Sequence, residues 1–416
     1  MQPIDQALWG KQGRVAAFWS YGKIGFIPEE GGDPLAFDFN VPGQTAWQFG
    51  PEFRTAAGRR KIVLGSHQQA QMKNFIAGNL RRHMWIYDWE TGELQEIFAR
   101  NRPAPWMGVT EVLDAGKRAV VNAIIDGEQR IFLADIDAET YEPVTLPGWG
   151  FHYCESLSPE KKRLAWHVTR AHSSAADVPN PFMPHGYSIN VMDLVARERI
   201  LIAGQPDHLY FGPQWSSDGR RLAFLDCHAS EDPAHFWADI CVAEADGKSM
   251  KVITSGQSHW FGATYGPAHA RHGGSNIPTW TPPDFCAPPN APRNFGARGL
   301  VSYTRKLPGS HPDVYYDQAR PNHEECVFAP ENARGGTHLR LLDPDTCAAY
   351  DLTPPEDGRW DFRLAFAPQG DRILFSRTWP GTPAELWIMD ADGGHPRFLT
   401  RGFEEKGADF GRWLGG

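Results

Sequence analysis

Short runs of alternating apolar and polar residues recur along the chain, punctuated by Gly, Pro, Asp and Asn. The clearest spans Tyr210 to His228, with an aromatic entry, Pro213, the large apolar Trp215, then Ser216-Ser217-Asp218-Gly219 and Leu222-Ala223-Phe224. Asp-Gly between two apolar runs signals a two-residue hairpin, and period-two alternation after it marks a strand with one buried face. Related passages begin at Trp47, Trp106, Phe151, Pro278 and Leu364, and a last entry, Asp409 to Trp413, ends after one strand. Phe49-Gly50-Pro51-Glu52-Phe53 nearly repeats Phe211-Gly212-Pro213-Gln214-Trp215.

Copies of four short strands spaced at roughly 50–60 residues predict a β-propeller. Six complete copies, with orphan strands at both ends, predict seven blades in an all-β fold. Pairing of the N- and C-terminal strands in one blade would close the ring and remove its open sheet edges. On this reading residues 1–416 form a single propeller domain. Residues 1–46 and 404–416 complete the closing blade, and 304–337 form a long insertion on the face that carries the site.

Composition sharpens this picture. Gly 42, Pro 34, Trp 16 and Phe 24 suit turns and half-buried pleated surfaces. A net charge of −9 with no Lys/Arg stripe argues against nucleic acid as a partner. No window of ~18 apolar residues occurs, so no membrane partner is expected. The first residues lack an apolar leader core, and the six Cys (154, 227, 241, 286, 326, 347) show no paired spacing. Both observations point to a cytoplasmic protein with reduced thiols.

Antiparallel strands alternate direction, so the short hairpin turns such as Asp218-Gly219 gather at one end of the ring and the long loops at the other. Long loops on a rigid scaffold are where binding usually lives. Twelve of the 16 His fall in those loops: His67, His152, His172, His185, His208, His228, His235, His259, His269, His272, His311 and His323. A single loop His is ordinarily just solvated, but crowding on one face favours a site, since imidazole is both a neutral-pH acid/base and a metal ligand. Residues just before each inner strand should ring the channel: Gly50, Gly108, Cys154, Glu155, Gly212, Asn276, Asp361 to Arg363 and Asp409. Asp361, Arg363 and Asp409 have an alternative use, in capping turns or pairing with each other. In the insertion, Arg305, Lys306, Tyr315, Tyr316 and Arg320 suit an anionic sugar, because aromatics stack on pyranose faces and Arg forks carboxylates. A structural lid is the other reading of that segment. No Gly-rich phosphate loop, Gly-x-Ser-x-Gly elbow or Cys-x-x-Cys pair is present.

Ser-Pro or Ser-Asp-Gly followed by Leu-x-Phe, with Trp387-Ile-Met-Asp-Ala-Asp-Gly393 after it, resembles the propeller repeats of TolB-type proteins over roughly residues 150–400. Pro213 to His228, with His235 and the strand from Asp239, also resembles the oligogalacturonate lyases. That resemblance implies a cytoplasmic lyase with a Mn²⁺ site of His and Gln and an Arg base. Asp361-Phe362-Arg363-Leu364 stands where that family has its closely spaced Gln and His ligands, so a metal here would use other loop histidines.

The combined expectation is a carbohydrate-active propeller that cleaves uronate-containing oligosaccharides by β-elimination in a His-rich central site. Its partner would be a small acidic oligosaccharide. A base removes the proton beside a carboxylate, and a cation neutralises that carboxylate as the enolate develops. The expected catalytic residues are His208, His228 and Arg363. Expected substrate contacts are Arg305, Tyr315, Tyr316, Arg320, Asn276, Asp409 and His152. A divalent metal, Mn²⁺ or Ca²⁺, would sit on His259, His272 and His323. Two other readings stay open: a non-catalytic TolB-like propeller that binds a protein or peptide, and a glycoside-cleaving propeller using His acid/base chemistry.

Overall fold

The structure, a computed structural model, describes residues 14–20, 22–37, 39–68, 80–168, 188–205, 208–227, 237–256, 258, 276–285, 287–291, 295–296, 298–311 and 333–414, together with the backbone of 169, 314–316 and 326–328. These residues form an all-β propeller. Five blades are discrete four-stranded sheets. Blade one contains Ala46–Arg54, Arg60–His67, His83–Asp88 and Leu94–Ile97, in chain order from the inner strand outward. Blades two, three and four repeat that order from inner strands Met107–Leu113, Phe151–Leu157 and Tyr210–Trp215. In the closing blade Asp409–Leu414 pairs antiparallel with Val15–Ser20, followed by Lys23–Pro28 and Leu35–Phe37.

The expected seven blades are corrected to five. Apart from the ribbon Val314–Tyr316 with Cys326–Phe328, the strands between 279 and 400 do not separate into two further blades but join in one eight-stranded sheet. The join is a parallel bridge between Thr337, at the start of Thr337–Leu342, and Trp360, at the start of Trp360–Phe366. Thr337 N–H donates to Arg359 O at 3.0 Å and its hydroxyl to Asp361 O at 2.8 Å. Sequence spacing shows where strands begin but not whether neighbouring sheets fuse at an edge.

Alternation places apolar side chains on both faces of each sheet, and they meet across neighbouring sheets. Val63, Met84 and Ile86 of blade one pack with Met107, Val121 and Phe132 of blade two. Ala16, Phe18 and Ile27 of the closing blade pack with Leu374, Leu386 and Ile388 of the merged sheet, so the core runs on past the chain ends. Buried charge reinforces that junction. Arg14 reaches Glu29 at 2.6 and 2.9 Å and Asp371 at 2.6 Å, with Arg14 and Glu29 both buried. Among the described residues no helix is long and apolar enough to cross a membrane.

Candidate functional site

The inner strands share a defect at mid-length. Pairing with the second strand slips between Phe49 and Glu52, Val109 and Glu111, Tyr153 and Ser156, Phe211 and Gln214, and Phe362 and Ala365. The strand facing Asp409–Leu414 slips between Ala17 and Trp19. At these slips Cys154, Gly212, Arg363 and Phe410 enter the left-handed region, with φ of 51°, 65°, 47° and 51°. A bulge of this kind re-aims the side chain beside it. Here the bulges bring parts of four sheets around one cleft of about 590 Å³, lined by Gly50, Arg82, Gly108, Asn122, Glu155 and Arg412 among others.

Arg82 arrives from outside the ring of inner strands. It precedes the third strand of blade one, and its guanidinium lies over Gly65 and against Gly108. A Cβ at 65 would stand 2.5 Å from Arg82 Nε, and a Cβ at 108 would stand 3.0 Å from Nη1. The two glycines make room for the crossing. Its cation lies 5.1 Å from the Trp106 ring, and burial lowers its pKa to about 10. Arg412 comes from the closing strand, donates to Gly50 O at 2.7 Å, and is also lowered by burial. Neither guanidinium has a carboxylate within ion-pair distance among the described residues. The neighbouring Glu52 and Glu111 are paired elsewhere, with Arg60 at 2.6 Å and Lys161 at 3.4 Å.

Glu155 lines the same cleft from the bulge of blade three. Burial pushes its carboxyl up to about 7, against its own backbone N–H and the neighbouring Asn122 and Gln129, which favour the charged form. Its Oε1 is buried and has no hydrogen-bond partner. Burial, then the nearness of Glu155, pushes the Cys154 thiol up to about 12, so it stays a neutral thiol near pH 7. The cleft therefore offers one carboxyl poised to exchange a proton near neutrality and two cations without a direct ion pair among the described residues, with Glu52 and Glu111 beside Arg412.

The residues expected from sequence fall in several places. Of the predicted channel ring, Gly50, Gly108, Cys154 and Glu155 come together in this cleft. Arg363 instead forms an ion pair with Asp409, whose other oxygen accepts from Ser376 at 3.0 Å. Asp361 holds Arg377 through two contacts, at 2.6 and 2.9 Å. His208 Nδ1 lies 2.6 Å from Asp226 and its ring stacks on Tyr210, so it does not line the cleft. His152 is fully buried; its Nδ1 accepts from Trp166 Nε1 at 2.7 Å, and burial lowers its pKa to about 3. Asn276 is buried, and Arg305 lies in Val301–Lys306, opposite His338. Tyr315 and Tyr316 belong to a two-stranded ribbon, Val314–Tyr316 with Cys326–Phe328. His228, Arg320, His259, His272 and His323 lie outside the described residues.

A divalent cation does not fit the cleft as described, since two buried guanidinium groups stand in it, Glu52 and Glu111 are held by Arg60 and Lys161, and burial keeps the Glu155 carboxyl partly protonated. Among the described residues no three His, Cys, Asp or Glu side chains converge as a metal site. Sequence reasoning placed Glu155 on the channel but missed Arg82 and Arg412. The signals were Gly65 and Gly108, and the position of Arg412 within the last inner strand.

No family model matches the chain, and no curated protein does. Solved structures do resemble it. A puromycin-hydrolyzing peptidase from Mycobacterium tuberculosis shares 14% identity at a TM-score of 0.53, covering 91% of this chain and 49% of that one. TolB from Acinetobacter baumannii shares 14% identity at 0.42, covering 99% and 85%. An oligogalacturonate lyase in complex with manganese shares 13% at 0.48, covering 85% and 84%. The chain spans about half the length of the peptidase it matches. At these identities the likeness shows a propeller fold, with TolB and oligogalacturonate lyase structures among its neighbours.

Proposed function

We propose that the central cleft is the active site of a carbohydrate-active enzyme that cleaves uronate-containing oligosaccharides by β-elimination. The observation that carries this reading is the pairing of a carboxyl titrating near 7 with two cations that lack a direct ion pair among the described residues. Arg82 and Arg412 receive the uronate carboxylate and neutralise the charge that builds on it. Glu155, as carboxylate, takes the proton from the carbon beside that carboxylate. The electron pair forms the new carbon–carbon double bond, and the bond from the next carbon to the glycosidic oxygen breaks. Glu155 then returns the proton to the leaving oxygen, so one group serves as base and acid.

Incubation with a panel of oligouronides tests this, because the unsaturated product absorbs in the ultraviolet. The expected result is a rise in absorbance that E155Q reduces by about 10²-fold or more, the usual contribution of a general base. An absorbance trace that stays flat across the panel overturns the lyase reading.

A further inference from the structure

Phe410 is a large aromatic on an inner strand, yet it is 47% exposed. Its strand pairs along one edge with Val15–Ser20 and packs against Trp360–Phe366, and Arg412 of the same strand reaches Gly50 of Ala46–Arg54. Its backbone holds φ of 51°, a conformation unfavourable for a bulky side chain and retained where the surroundings enforce it. The surroundings here are specific. Asp409 Oδ1 accepts from the Phe410 N–H at 2.7 Å, while Asp409 Oδ2 holds Arg363. The Arg363 guanidinium lies 4.0 Å from the Phe410 ring centroid and backs the ring. Two residues further along the same strand is Arg412, a cation of the cleft. A backed aromatic ring held in a strained conformation beside a carboxylate-binding cation is a surface for a ring that bears a carboxylate.

We propose that Phe410 is a stacking platform that selects a ring-bearing acid, so that a pyranose lies on the Phe410 face while its carboxylate reaches Arg412 and Arg82. This rests on the central-cleft reading above, and extends it by assigning a specificity-determining residue. Arg363 and Asp409 are then positioning residues, which hold the ring and its backbone.

Calorimetric titration with trigalacturonate, which has rings and carboxylates, and tricarballylate, which has three carboxylates and no ring, separates the two ideas. F410A and F410L should weaken trigalacturonate about tenfold, the loss of roughly one aromatic contact, and leave tricarballylate within about twofold. F410L keeps apolar bulk, so agreement between the two variants excludes a collapse of the strand as the cause. R82Q should weaken both probes. Phe410 variants that weaken both probes equally, or neither, while R82Q weakens both, overturn the platform and leave the cleft reading standing. R82Q that leaves both affinities intact overturns the cleft reading. Wild-type protein that binds neither probe overturns both.

Discussion

The indole Nε1 of Trp215 donates to the backbone carbonyl of Ser156 at 2.9 Å, tying the inner strand of blade four to that of blade three. The same contact joins Trp280 to Gln214 O at 3.0 Å and Trp413 to Ala365 O at 3.1 Å. A cation caps the indole in all three: Arg163 lies 4.7 Å over Trp215, Arg221 4.9 Å over Trp280 and Arg14 5.5 Å over Trp413. Adjacent blades are thus registered by a directional bond as well as by apolar packing. Trp215→Phe keeps an aromatic ring but removes the donor and weakens the cation contact. It should cost about 1 to 2 kcal/mol, read as a lower denaturation midpoint with unchanged β-sheet circular dichroism.

Closure depends on a second device. Arg14 and Glu29 are both buried, and Glu29 also receives Arg372 at 3.2 Å. Arg14→Met strips the nearest partner from a buried carboxylate and severs the link to Asp371. A loss of about 3 kcal/mol is expected, as for other buried pairs broken on one side. Arg14→Met/Glu29→Gln should lose less than the sum of the two single variants, because the double variant leaves neither member of the buried pair charged without the other. Urea titration of the three variants checks this.

Three buried histidines make the fold sensitive to acid. Burial lowers His67 to about 4, with nearby Arg82 adding to it, and lowers His152 and His167 to about 3. An unfolded chain protonates these residues below about 6.5, while the folded chain does not, so the unfolded state binds more protons as pH falls. Their contribution is full above 6.5 and is lost progressively toward pH 3. His67→Phe keeps a ring against Trp106 and removes one titrating group, and no hydrogen bond is lost because neither His67 nitrogen has a partner. The slope of stability between pH 6 and 4.5 should flatten by about 1 kcal/mol per pH unit in this variant.

Much of the fold was legible because a hairpin signal is local. Asp218-Gly219 turns the chain, Gly219 sits at φ of 68°, and the strands on either side alternate as the turn requires. The merger at Thr337 and Trp360 was not legible, since it depends on where two strand ends meet in space rather than on either run's own pattern. The same division holds at the cleft. Glu155 was readable as one of the residues expected to ring the channel around the start of an inner strand, and the structure places it at the bulge within Phe151–Leu157. Arg82 was not, because its position follows from a side chain crossing two glycines on two other strands. Histidine crowding in the loops suggested a His-rich site, but His152 and His208 spend ring nitrogens on Trp166 and Asp226.

Glu155 gives a test that needs no substrate. Its carboxyl titrates near 7 when folded and near 4.5 when unfolded, so between those values the folded chain keeps a proton that the unfolded chain has released. The folded state binds more protons there, and stability falls as pH rises from about 4.5 through 7. Above that range the penalty is complete, because the ionised carboxylate sits in a cleft that desolvates it. Glu155→Gln removes this titration while keeping the shape. Its stability relative to wild type should rise between pH 5 and 8 by about 1 to 2 kcal/mol, a figure reduced for the water that reaches the cleft. Paired urea titrations at pH 5 and 8 measure the difference. An equal gap between variant and wild type at the two pH values would show that the carboxyl titrates in its ordinary range, and would remove Glu155 as an acid/base group poised at neutrality.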